Sequence, residues 1–192
     1  MAEPRDIRQM IAQLKSAAIE ERHQLVRALG ATGGPAVMPL IHAMVEDPDA
    51  DFRWYAANAL SIIGEPAVGP LVDAMTEIQD RDFRRYAAAA VAHIGAPAVG
   101  PLIAAMKDAD TGLRGLLAQA LCRIGEPAIG PLLEVLGDEE EVMRTCARLT
   151  LWEMGEPGIS AMADAFDLHK EAKPDETGKT GSVDPDDLIP KG

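Results

Sequence analysis

The sequence predicts an all-α chain of stacked two-helix repeats. Three observations carry that prediction. The first is a stretch that returns. Ile63-Gly64-Glu65-Pro66-Ala67-Val68-Gly69-Pro70-Leu71 reappears as Ile94-Gly95-Ala96-Pro97-Ala98-Val99-Gly100-Pro101-Leu102 and as Ile124-Gly125-Glu126-Pro127-Ala128-Ile129-Gly130-Pro131-Leu132. Weaker copies start at Gly33 and at Met154. The leading prolines stand at 35, 66, 97, 127 and 157, so the period is 31, 31, 30 and 30 residues. Self-similarity at such a period marks a stacked repeat architecture. The second is composition. Hydrophobic residues make up 47% of the 192, but aromatics only 4%, which gives a core of aliphatic and small side chains suited to closely approaching helices. The third is register: apolar residues fall on equivalent positions in every unit, at helical spacing.

Taken in order, residues 4–14 read as a short helix. Pro4 suits its first turn, and Ile7, Met10, Ile11 and Leu14 form one apolar stripe opposite Arg8, Gln9, Gln13 and Lys15. One helix with one wet face before the first repeat is what an N-terminal cap needs. We assign 1–15 to this cap and 16–168 to five repeats, at about 16–46, 47–78, 79–108, 109–138 and 139–168. Each repeat has a first (outer) helix and a second (inner) helix. In the second repeat an acidic turn around Asp47, Asp49 and Asp51 starts the outer helix, which runs to Ile63. Gly64 closes it in a left-handed conformation, and Pro66 sets the next start. Pro70 lacks the N–H that would bond back one turn, so the inner helix either kinks there or begins there.

The predicted core consists of rows. Inner helices give Val37, Val68, Val99, Ile129 and Ile159; Leu40, Leu71, Leu102, Leu132 and Met162; and Met44, Met75, Met106, Leu136 and Phe166. Outer helices give Leu29, Leu60, Val91, Leu121 and Leu151, with Ala59, Ala90 and Ala120 keeping neighbours close. In the fifth repeat Trp152 and Phe166 lack a following helix and are expected to be partly bare. Residues 169–192, with few apolar side chains before Leu188 and Ile189, read as a disordered acidic tail.

The net charge of −13 argues against nucleic acid as the main ligand, because a duplex binder needs clustered Lys and Arg. An acidic surface favours basic proteins. Cys122 and Cys146 sit in different repeats with no metal-ligand spacing and are expected to be reduced. No apolar run reaches membrane-spanning length and no signal-type leader opens the sequence, so a cytoplasmic protein without a membrane partner is the expectation.

The outer-helix pattern Asp-x-Asp-Phe-Arg-x-Tyr-Ala-Ala-x-Ala-Leu-x-x-Ile-Gly, from Asp49 to Gly64, followed by Glu-Pro-Ala-Val-x-Pro-Leu, resembles HEAT-like repeats of the phycobilisome-lyase type. The likeness covers roughly residues 16–168. It implies a right-handed α-solenoid used as a protein-binding scaffold, with inner helices lining a concave groove. It also implies a ladder of acids and arginines between repeats. Arg22, Arg53, Arg84, Arg114 and Arg144 are equivalent, each near the start of an outer helix where the dipole disfavours a cation. Asp49, Asp80, Asp110 and Glu140 stand four residues before the last four of these arginines.

Catalytic motifs fail on inspection. Gly178-Lys179-Thr180 lacks the earlier glycine of a phosphate loop, where Lys173 stands. Asp47-x-Asp49-x-Asp51 lacks the glycine and glutamate of a calcium loop, where Phe52 and Asn58 stand. His23, His42, His93 and His169 are scattered, and none is followed by the glutamate that deoxyhypusine hydroxylase, an enzyme of similar repeats, uses to hold iron. No catalytic residue, metal site or cofactor is assigned. Trp54, Tyr55, Tyr86 and His93, which could grip a pigment, fall on outer helices expected to be convex or packed. The expected site is the inner-helix face: an acidic ridge of Asp73, Glu134, Asp164, Glu77, Asp108 and Asp138 beside a smooth strip of Gly69, Gly100 and Gly130. The function expected is a non-catalytic scaffold binding a basic protein or peptide there. The alternative is an accessory of the phycobilin or tetrapyrrole lyase type.

Overall fold

One joint, repeated five times, shapes the chain. In the computed structural model, which describes the backbone of residues 4–171 and the side chains of 6–166, each first helix stops at a glycine with positive φ: Gly33, Gly64, Gly95, Gly125 and Gly155. At Gly95 φ is 86° and ψ is −138°. This is not the left-handed helical cap expected from sequence. It lies toward the region that only glycine enters without strain. The chain then reverses. Between Ile19–Thr32 and Gly34–Glu46 it turns through 118°.

Among the described residues every element is helical. The cap helix α1 (Pro4–Ser16) precedes the first helices α2 (Ile19–Thr32), α4 (Ala50–Ile63), α6 (Arg81–Ile94), α8 (Thr111–Ile124) and α10 (Glu141–Glu153). They alternate with the second helices α3 (Val37–Glu46), α5 (Val68–Glu77), α7 (Val99–Met106), α9 (Glu126–Val135) and α11 (Glu156–Glu171). The question posed by Pro70 has a clear answer. In the first three repeats the leading proline belongs to a single 3₁₀ turn, Gly34–Ala36, Glu65–Ala67 or Ala96–Ala98. The α-helix begins after it, so Pro39, Pro70 and Pro101 fall in a first turn whose N–H groups have no helical partner anyway. In the fourth repeat α9 starts at Glu126 and takes Pro131 inside. The predicted tail lies outside the described residues, apart from its first three positions, which lengthen α11. The phosphate-loop resemblance at Gly178 also lies outside them.

First helices stack on first helices and second on second, each pair burying one face against its neighbours. Leu29, Leu60, Val91, Leu121 and Leu151 are fully buried, as are Leu40, Leu71, Leu102, Met44 and Met75. Ile7, Ile11 and Leu14 of α1 close the N-terminal end. The rows loosen toward the other end. Leu136 and Met162 are only half-buried, and Phe166, assigned to the core row, is 69% exposed. The loosening falls on the second-helix rows, while Leu151 in the first-helix row stays fully buried. Trp152, with no first helix after α10 among the described residues, is 64% exposed.

The arginine row does two things. Arg53 is 2% exposed. Its Nε donates to the carbonyls of Met44 (2.8 Å) and Asp47 (2.9 Å) at the end of α3, and its Nη2 donates to Oδ2 of Asp80 at 2.7 Å. Arg84 repeats this, with Nε on Met75 at 2.8 Å and Nη1 on Asp110 at 2.7 Å. Asp80 and Asp110 also cap α6 and α8, accepting from the N–H groups of Phe83 and Leu113. Each arginine therefore pairs with the acid of the next repeat, and one carboxylate serves two helices. Arg22, Arg114 and Arg144 keep the carbonyl contacts without an acid of the next repeat, and Arg144 pairs instead with Glu141 of its own helix. Lys15 takes Asp47 and Lys107 takes Glu140 instead.

A buried guanidinium bound to carbonyls and a carboxylate is costly to delete, because the carbonyls it serves stay behind. Arg53→Ala is expected to lower stability by about 2–4 kcal/mol, read from urea denaturation midpoints. Arg53 and the N–H of Phe83 hold the Asp80 carboxyl at about 2, below its usual value near 3.9. The stabilisation is therefore complete above about pH 4 and disappears as pH falls toward 2. The Asp80 side chain is 41% exposed, so solvent screening keeps the effect near about 1 kcal/mol. Acid titration of stability should be correspondingly flatter in Asp80→Asn.

Candidate functional site

The second-helix face carries the predicted acids on the outside. Asp73, Glu77, Asp108, Glu134, Asp138 and Asp164 are all exposed. The structure gathers only some of them. Asp73 and Glu77 share a cleft of about 440 Å³ between α3 and α5 with His42 and Glu46. Its floor is apolar: Met38, Ile41, Val45, Pro70 and Ile78. Met38 and Val45 are 48% and 39% exposed, high values for such side chains. Glu134 lines a separate cleft of about 400 Å³ between α9 and α11, beside Leu133, Leu136 and Phe166. Asp164 joins neither. Asp108 and Asp138 follow the ends of α7 and α9 and lie within electrostatic reach of Lys107, whose pKa is raised first by Glu140 and then by these two acids. Lys107 thus interrupts the ridge. At the other end Arg8 and Lys15 line a cleft of about 630 Å³ between α1 and α3 with His42 and Glu46.

Glu46 and Glu77 are the last residues of α3 and α5, and Asp108 and Asp138 follow the ends of their helices. Helix C-termini carry partial negative charge, so an acid there is destabilising. The same position carries an acid in four repeats, at some cost to the fold.

The glycine strip is real but passive. Gly69, Gly100 and Gly130 are exposed in the early turns of their helices, and a Cβ at any of them would meet nothing within 4 Å. Gly30 is different. A Cβ there would lie 2.3 Å from Cγ2 of Ile62, so this glycine lets α2 and α4 approach closely.

Sequence reasoning set the first-helix face aside as convex or packed. A depression of about 410 Å³ crosses α4, α6 and α8. Trp54, Asn58, Arg85, Tyr86, His93, Gln119 and Arg123 line it, over a floor of Ala57, Ala88, Ala89 and Ala120. The signal was in the repeat alignment. Trp54 and Arg85 share one helical position and His93 and Arg123 another, both off the core rows. Tyr55, grouped with them from sequence, is buried instead, edge-on to Trp54 and His23.

Little on either face points to chemistry. Among the described residues no three His, Cys, Asp or Glu side chains meet as a metal site, and no buried side-chain N or O lacks a hydrogen-bond partner. Burial raises the pKa of the Cys122 thiol, which lies 3.6 Å from the Thr150 carbonyl.

The model of the family described as HEAT repeats matches residues 7–93 and 68–152, together more than half of the sequence. The chain belongs to the HEAT-repeat family. That match is to HEAT repeats at large, and the phycobilisome-lyase subtype rests on the sequence resemblance alone. Among curated proteins none matches. Similar solved structures include two titled as engineered proteins of the Northeast Structural Genomics Consortium. The first is 20% identical, over 85% of this chain and 86% of that one, with a TM-score of 0.35. The second is 20% identical, over 86% and 88%, at 0.34. Likenesses this loose carry no argument about function. Among the described residues of this HEAT-repeat chain, no single helix is long and apolar enough to cross a membrane.

The two kinds of glycine should separate in melting experiments. Gly100→Ala, in open space on a helix, is expected to be neutral or to stabilise by up to about 0.5–1 kcal/mol. Gly30→Ala, against Ile62, is expected to destabilise by about 1–3 kcal/mol.

Proposed function

We propose that this HEAT-repeat chain is a non-catalytic scaffold that binds a basic segment of a partner protein on the acidic face of its second helices. The cleft between α3 and α5 is the observation that supports this best. An apolar floor of Met38, Ile41 and Val45 beneath a rim of Glu46, Asp73 and Glu77 suits an amphipathic helix with Lys or Arg beside its apolar stripe, docked in a groove. The acids near helix C-termini point the same way, since the helix dipole works against them there. Asp108, Glu134, Asp138 and Asp164 extend the negative field along the stack and would steer such a partner toward the cleft. Gly69, Gly100 and Gly130 leave the early turns of the same helices open to close approach. In this reading the protein works in the cytoplasm, uses no cofactor and binds neither nucleic acid nor membrane.

The second reading is an accessory of the tetrapyrrole-lyase type. What favours it is that Trp54, Tyr86 and His93 surround one depression.

Two measurements on the purified chain test these readings. A labelled amphipathic Lys/Leu peptide is expected to bind with an affinity that falls as salt rises. The Asp73→Lys, Glu134→Lys, Asp164→Lys variant is expected to lose about tenfold or more of it. Equal binding by both proteins would overturn the scaffold reading. A change in the absorption spectrum of an added bilin would support the lyase-type reading.

A further inference from the structure

The chain carries a net charge of −13, yet no carboxylate lines the depression across α4, α6 and α8. Its charged groups are two arginines, Arg85 and Arg123, accompanied by the imidazole of His93. Arg123 is exposed and has no ion pair among the described residues. Arg85 lies over the ring of Tyr86, 5.7 Å from its centroid, and meets Asp82 at 3.0 Å in an exposed pair one turn away. Such a surface pair is worth little and yields readily to a competing anion. Neither the indole N–H of Trp54 nor the side-chain amide of Gln119 has a hydrogen-bond partner among the described residues. Donors are thus in excess in a molecule otherwise rich in acceptors. Trp54, 49% exposed, supplies an apolar wall.

We propose that this depression is a second binding surface, opposite in sign to the acidic face, which takes an acidic peptide segment of a partner protein. Its carboxylates would meet the Arg85 and Arg123 guanidinium groups, and an apolar side chain between them would pack on Trp54 and Tyr86. Arginine forks suit carboxylates, and exposed aromatic and arginine side chains are the usual anchors of protein interfaces. The depression spans three successive helices, which suits an extended segment. A compact ligand would need burial over most of its surface. Two arginines on so acidic a molecule are too few for a nucleic acid backbone. The site is independent of the α3/α5 cleft, so the chain would hold partners of opposite charge at once.

The test is fluorescence anisotropy of a labelled decapeptide of alternating Glu and Leu, titrated with the full chain at low ionic strength. Saturable binding is expected. Arg85→Gln with Arg123→Gln is expected to weaken it about tenfold or more, and Trp54→Ala severalfold. Arg8→Gln with Arg148→Gln removes the same charge from exposed positions outside the depression and should leave affinity within about twofold. Far-ultraviolet circular dichroism checks that each variant is folded. Absence of saturable binding, equal loss in the two double variants, or unchanged affinity in the first would each overturn the proposal. Failure of the Lys/Leu peptide to bind would count against the acidic-face reading alone.

Discussion

The stack depends on one contact: a guanidinium that holds the frayed end of one helix and the capping acid of another. A second helix ends with carbonyls that have no partner, and the chain leaves it for a turn too short to cover them. Arg53 and Arg84 reach back from the following first helix to take those carbonyls, then extend forward to the acid that starts the next one. The charge is buried, but carbonyls and a carboxylate meet it, so burial does not leave it stranded. The same contact explains why an arginine tolerates a place near a helix N-terminus, where its charge is unwelcome.

Much of this was legible in the sequence, because the interactions involved are local or periodic. The glycine that ends each first helix, the aspartate that starts the next and the leucine rows all follow from spacing alone. What did not follow was anything that depends on relative placement of helices. The ladder of acids and arginines between repeats is present at Arg53–Asp80 and Arg84–Asp110, but spacing did not show that each acid pairs with the arginine of the repeat before it. At the ends the ladder gives way to Lys15 and Lys107, and no repeat alignment signals that exchange.

The surfaces show the same limit. Helical spacing placed Asp73 and Glu77 on an exposed face, and both are there. It did not show that they border one cleft with Met38 and Val45 while Asp164 stands apart. Trp54 and His93 were set aside on helices thought to be convex or packed, and Arg85 and Arg123 were not singled out, because a depression across three helices depends on how they pack together. Alanines line its floor, and from sequence alanines read only as close packing.

Position by position, Gly30, Ser61, Ala92 and Cys122 are equivalent, and their counterpart in the fifth pair is Trp152. At the first of these places α4 lies directly against the glycine through Ile62, and at the fourth Cys122 meets the Thr150 carbonyl of α10. At both places a small residue lies at the seam where two first helices meet. The indole of Trp152 at the equivalent place is 64% exposed. The array can be lengthened by duplicating an internal pair, which brings its own small residue to the seam. Duplication of the fifth pair would instead bring an indole to the seam, where the four pairs before it carry glycine, serine, alanine and cysteine.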